Sequence, residues 1–327
     1  MKAIVIGGGV IGVSTAFRLA QAGAQVTLLE KGRLASGTSS TSFAWMNSNN
    51  KAPIEYHRLN VGGMSEHVAL AEELGRAPWL HNHGNVIWED PALPGTSEPV
   101  VPVSGEAFAR KMRRLGEWGY PVEMLTPAEL AAIHPDIRVH DGIEQVAYFP
   151  TEGWIDVPQL VATLARAAER HGADIQTGQE VVEIIREGDW VVGVRTAAGD
   201  LISADVVVSC AGRWTDQVTA LTGMAIPMAP TLGLLAITRP VATTLRSLVH
   251  TTAVNIRPDG GSRVMIASYG HDDLLTPDTS EETLYRYAGE ILDRAANILP
   301  ALEGGEIESI RLGTRSMPQD HYPVVGP

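Results

Sequence analysis

Residues 1–30 read MKAIVIGGGVIGVSTAFRLAQAGAQVTLLE, and this stretch decides the fold. Residues 4–6 are a short apolar, β-branched run of the kind a buried parallel strand carries. Gly7, Gly9 and Gly12 follow in G-x-G-x-x-G spacing, and Val10 and Ile11 open a helix predicted over 10–22. A second strand over 26–29 ends at Glu30. In such a unit Gly7 permits the tight turn, Gly9 lets backbone approach a pyrophosphate, and Gly12 lets helix and strand close together. The helix N-terminus then offers unsatisfied N–H groups and a positive dipole end to phosphate. Glu30, eighteen residues beyond Gly12, is placed to accept a ribose 2′-OH hydrogen bond. Strand, turn, helix, strand and terminal acid arriving in order make this a dinucleotide unit rather than a chance glycine cluster.

The remaining composition narrows the class. At 327 residues the chain is long enough for two domains, and its 44% hydrophobic content fits a globular protein. No run approaches a membrane span, and the first strand begins almost at Met1, so cytoplasm is the expected location. One cysteine, Cys210, excludes a disulfide framework. A net charge of −13 argues against nucleic acid as a partner.

Residues 31–51, KGRLASGTSSTSFAWMNSNNK, form a loop rich in hydroxyls with an apolar insert at 43–46. Such a loop suits phosphate and ribitol oxygens. The unit ending Glu30-Lys31, followed by Gly37-Thr38-Ser39-Ser40, resembles the D-amino-acid oxidase, glycine oxidase and sarcosine oxidase family of FAD-dependent oxidoreductases. The resemblance implies a Rossmann-like α/β FAD-binding domain interleaved with an α+β substrate domain, and non-covalent FAD. It places Glu30 and Lys31 at the adenosine ribose and Thr38, Ser39 and Ser40 near the phosphates. Phe43, Ala44 and Trp45 then run along the flavin.

Residues 52–146 change character and read as the first part of the substrate domain. Helices are expected over 56–74 and 106–118, with a strand over 86–88. Thr126-Pro127-Ala128-Glu129 is a capping box opening a helix that ends before Pro135. His81 and His83 lack a third ligand nearby and read as a polar loop. Arg110, Lys111, Arg113 and Arg114 read as a solvated helix face.

Residues 147–215 return to the FAD-binding domain. An amphipathic helix is expected over 157–171, and strands over 181–185, 190–196, 201–203 and 205–211. The resemblance gives Val181 the adenine contact and makes Ala211-Gly212-Arg213-Trp214 a flavin-contacting turn through Ala211, Gly212 and Trp214. Cys210 reads as a small buried strand residue. Residues 216–304 resume the substrate domain, with strands over 232–238 and 263–268 and a helix capped by Ser280. Residues 305–327 close the FAD-binding domain with a strand over 307–312.

The closing segment, from Gly313-Thr314-Arg315 to Pro327, resembles the family's carboxylate-gripping end. Arg315 is therefore the candidate substrate anchor, since a guanidinium binds carboxylate through two parallel bonds. Trp45, Asn47 and Tyr148 are the other candidate pocket residues. The family continues beyond this point with a glycine-rich turn and a helix. The expected activity is oxidation of a small amine or amino acid by hydride transfer to flavin N5, giving an imine. Partners are then the substrate and an oligomer or a subunit completing the C-terminal segment, with no metal. Two alternatives stand beside it: a truncated or silent FAD-fold subunit, and an NAD-linked dehydrogenase.

Overall fold

The structure, a computed structural model, describes residues 1–75, 77–89 and 108–326. Glu106, the expected start of one helix, and Pro327 lie outside them. The chain divides into two units, Met1–Ser42 with Asp156–Thr231 and Thr314–Pro327, and Phe43–Ile155 with Leu232–Gly313.

The first unit holds a four-stranded parallel sheet in the order Val206–Ser209, Lys2–Ile6, Gln25–Glu30, Asp174–Thr177. Residues 3–6 are almost wholly buried, as expected of a central strand with helices over it. The helix Val10–Gln21 buries Val13, Ala16, Phe17 and Ala20 and packs on the helix Val157–Arg170, which buries Leu160, Leu164 and Ala168. Small residues at the contact allow the close approach. Asp156 caps the second helix by accepting from Gln159 N at 3.0 Å. An antiparallel sheet of Val181–Glu187, Trp190–Thr196 and Leu201–Ser203 contributes Val194 and Ala204 to a core with Ile4, Ile6 and Leu29.

The second unit is built on an eight-stranded sheet. Its order is Ile307–Arg315, Thr231–Thr238, Val264–Ala267, Asn255–Pro258, Leu248–Thr251, Asn85–Trp88, Val146–Phe149, Glu123–Leu125. Register separates its two faces. One row runs through Tyr148, Val86, Val249, Ile256, Ile266 and Ala236, and it packs against the main apolar core with the helix Glu281–Ile298. The opposite face carries His250, Asn255 and Ala267 in one row and Arg257 and Met265 in the next. A small sheet of Trp45–Met46, Gly153–Ile155 and Leu80–His81 lies in the same unit. The capping box forms in both directions, Glu129 N to Thr126 Oγ1 and Thr126 N to Glu129 Oε2.

Several expectations are corrected. Residues 43–51 and 147–155 belong with the second unit, because their strands pair there. Residues 216–231 stay with the first unit, where the helix Thr215–Ala220 continues out of the turn at 212–214. Residues 305–313 join the second unit through the edge strand of the large sheet. Cys210 stands just past its strand, half-buried, with burial pushing its thiol up. The basic helix Phe108–Glu117 is not wholly solvated: Lys111 donates to Asn50 Oδ1, and Arg114 lies 4.9 Å from the Trp118 ring centre.

Candidate functional site

The site begins in the turn after the first strand. Gly7 has φ +109°, and a Cβ there would lie 2.5 Å from the Cys210 carbonyl oxygen. A Cβ on Gly12 would lie 1.8 Å from the Gly7 carbonyl oxygen. Both positions therefore need glycine for backbone reasons. Gly9 differs: a Cβ would meet only Ser39 Oγ, at 3.3 Å, so the space above it is open. Gly9 is also the helix N-cap and offers no side chain to the helix, whose first turn holds no acid. Ser39 Oγ accepts from Val10 N at 3.0 Å, while the N–H groups of Ile11 and Gly12 have no partner within the helix. Ile11 is 65% exposed at this end.

Around this turn the loop residues have defined partners. Glu30 accepts from Gly8 N and Gly32 N, both at 2.7 Å, one on each carboxylate oxygen. Each oxygen keeps a further lone pair for a ribose hydroxyl. Thr38 Oγ1 donates to the Thr314 carbonyl at 2.7 Å, and Ser40 Oγ to that of Gly37 at 3.1 Å. Trp214, in the turn with Ala211 and Gly212, has Lys31 Nζ 4.0 Å and the Arg213 guanidinium 4.1 Å from its ring centre. Val181 packs on the Ile4–Ile6 core. Arg315 is half-buried and donates to Thr231 Oγ1 at 3.3 Å.

The second unit gathers a different group, which the sequence reading names only in part. Ala44 takes φ 55°, a left-handed conformation that is strained for alanine and common at functional turns. Trp45 stacks on His250 with ring centres 3.7 Å apart, and Phe43 meets the same imidazole edge-on at 5.6 Å. Trp45 Nε1 donates to Glu152 Oε2 at 3.1 Å. Glu152, fully buried, also accepts from Ser48 N, Asn49 N, Asn49 Nδ2, Asn85 Nδ2 and Tyr120 OH at 2.6–3.2 Å. Burial and then the Glu152 charge push the Tyr120 phenol well up, so it remains a donor. Asn47 is buried and donates to the Trp45 carbonyl at 3.2 Å. Tyr148 is not part of this group: it lies on the helix-covered face, against Gly84 and His134. His81 stacks on Trp154, and among the described residues no three potential ligands cluster as a metal site.

A parallel sheet, a glycine turn locked at Gly7 and Gly12 but open at Gly9, and an acid closing the second strand define a dinucleotide-binding protein. The family model described as FAD dependent oxidoreductase matches residues 2–327, and the chain belongs to that family. It is thus an FAD-dependent oxidoreductase, and the glycine cradle, with its open helix end, fits that cofactor. Glycine oxidase of Geobacillus kaustophilus is 27% identical over 331 residues, covering 98% of this chain and 83% of the relative. Human mitochondrial sarcosine dehydrogenase is 27% identical over 342 residues, covering 99% of this chain but 36% of the relative. The solved glycine oxidase of G. kaustophilus superposes with a TM-score of 0.78 at 26% identity, covering 99% of this chain and 85% of that one. L-proline dehydrogenase from P. horikoshii shares the fold, with a TM-score of 0.82 at 24% identity. Among the described residues no helix is long and apolar enough to cross a membrane.

Proposed function

We propose that the protein oxidises a small amine or amino acid, of the glycine, sarcosine or D-amino-acid type, using non-covalently held FAD. The observation that carries this reading is the glycine turn open only at Gly9, in a chain matching the amine-oxidising relatives over nearly its full length. Gly7, Gly9, Val10, Ile11 and Gly12 hold the pyrophosphate, with Ser39 fixing the first helical N–H. Glu30 and Lys31 take the adenosine ribose, Val181 the adenine, and Thr38, Ser40, Ala211, Gly212 and Trp214 border the remainder. Phe43, Ala44 and Trp45 line the flavin. Bound FAD supplies the acceptor for the substrate hydride, leaving an imine that water hydrolyses. The chain's own work is orientation and water exclusion, which is why no acid–base dyad is needed.

Arg315 is the proposed carboxylate anchor, because a planar guanidinium can bind a carboxylate through two parallel hydrogen bonds. The test is oxygen-free mixing of the purified protein with glycine, sarcosine and D-alanine. Bleaching of the flavin by one of them supports the reading, and bleaching by none refutes it. Arg315→Ala should then raise KM for the active substrate by tenfold or more, about the loss of one charge-assisted hydrogen bond. An unchanged KM removes Arg315 from the site.

A further inference from the structure

The turn after the strand Val206–Ser209 holds a cation with no counter-charge. Arg213 stands between Gly212 and Trp214, which border the cofactor in the reading above. Its guanidinium lies over the Trp214 ring, 4.1 Å from the centre, and Nη1 donates to Thr314 Oγ1 at 2.6 Å. A ring beneath it and a bond at one nitrogen hold the group in place. Nε is buried without a partner among the described residues, and no carboxylate among them pairs with the guanidinium. Leaving a buried donor so is costly, and a methionine stem on the same ring would avoid that cost. Nη2 is different: it is not buried, and no acceptor among the described residues takes it. It is the donor left for a ligand.

Arg213, Trp214 and Thr314 all belong to the unit that carries the glycine turn. Their turn starts against it: a Cβ on Gly7 would lie 3.4 Å from Ala211 Cα. Thr314 is shared, its carbonyl accepting from Thr38 Oγ1 at 2.7 Å and its hydroxyl from Arg213. Ser39, next to Thr38 in one short 3-10 turn, accepts from Val10 N at 3.0 Å. A continuous path of bonded groups thus runs from the guanidinium to the helix start. That helix end offsets only about half an elementary charge, whereas the pyrophosphate of FAD is negative on each phosphate. The first helical turn, Val10-Ile11-Gly12-Val13, holds no cation. We infer that Arg213 Nη2 donates to the FAD pyrophosphate and supplies the charge the helix end lacks, with Thr314 as the positioning residue that aims it. This rests on the phosphate path over Gly9. The contact is a charge-assisted hydrogen bond and moves no proton.

The test titrates the full chain, freed of flavin, with FAD, ADP and adenosine in a calorimeter. Arg213→Met keeps an apolar stem on Trp214 and removes the charge. It should weaken FAD and ADP by about tenfold or more, the loss of one charge-assisted hydrogen bond, and leave adenosine within about twofold. Added salt should weaken ADP binding less in this variant than in the parent, because one ionic contact is gone. Thr314→Val keeps both the carbonyl for Thr38 and the Arg213 charge, so it should weaken FAD and ADP by only about threefold. Arg213→Lys should recover part of the loss. Unchanged FAD and ADP binding in Arg213→Met overturns the inference. So does equal weakening of ADP and adenosine, which would make the side chain a packing element. A parent that prefers ADP to adenosine, and keeps that preference without Arg213, removes Arg213 alone. A parent that binds adenosine as tightly as ADP has no pyrophosphate contact, and the path over Gly9 falls with the inference.

Discussion

Alanine at Gly9 and alanine at Gly12 separate cofactor binding from folding within one turn. A methyl on Gly12 would sit 1.8 Å from the Gly7 carbonyl oxygen, more than an ångström inside any contact that real Cβ atoms make. That oxygen is backbone and cannot swing aside, so the helix must move off the strand. Overpacking of this kind costs about 1–3 kcal/mol or more, and the shift also withdraws the helix end from the phosphates. A methyl on Gly9 meets only Ser39 Oγ, at 3.3 Å, and the Gly9 backbone (φ −76°, ψ −180°) suits alanine. The stability of the cofactor-free protein should change by no more than about 0.5 kcal/mol. FAD binding should nonetheless weaken by at least roughly tenfold, because the methyl occupies the space backbone needs to approach pyrophosphate. Urea unfolding of the cofactor-free protein gives the first quantity, and flavin fluorescence titration the second. Gly12→Ala should fail both assays and Gly9→Ala only the second. A Gly9→Ala protein that binds FAD as tightly as the parent would refute the phosphate path over Gly9.

Three further outcomes follow from side chains described above. His250 has a folded pKa of about 3 against 6.5 for the free side chain, so between those values the unfolded chain binds the extra proton. Its contribution is fully present above pH 6.5 and is lost as pH falls, by about 3 kcal/mol at pH 4; His250→Phe should flatten the acid limb of a urea-stability profile, and an unchanged slope would contradict the neutral buried ring. Cys210, its thiol pushed up by burial, should label with iodoacetamide at pH 7.5 far more slowly in the native protein than in urea, and equal rates would refute its burial. Ser39→Ala removes the acceptor for Val10 N and should cost about 1 kcal/mol of stability together with weaker FAD binding; a protein unchanged in both would show that the hydroxyl does not order the helix start.

How much of this could be read from the chain depends on how far apart the interacting residues lie. The turn at Gly7–Gly12 and the acid at Glu30 are contiguous, and each glycine's role follows from its spacing, so the cradle is legible. So is the capping box at Thr126, which spans four residues. The Glu152 cluster is not, because its partners stand at 45, 48, 49, 85 and 120, and one glutamate before Gly153-Trp154 looks like surface charge. A signal for His250 does exist: it is the polar member of the run Leu248-Val249-His250, which period two places on the face opposite Val249. The same period argues against Tyr148 as a pocket residue once Val86 is recognised as core. The unit boundaries were displaced by strands of two and three residues, Trp45–Met46 and Gly153–Ile155, too short for any hydrophobic period to register.

The central claim is that this chain holds FAD without a covalent bond, and the visible absorption spectrum of the purified protein, before and after acid precipitation, tests it most directly. A flavin spectrum is expected in the native protein, with full release of the flavin into the supernatant. A protein that is colourless, and remains so after incubation with FAD and gel filtration, would contradict the cofactor site; colour retained in the pellet would contradict non-covalent attachment.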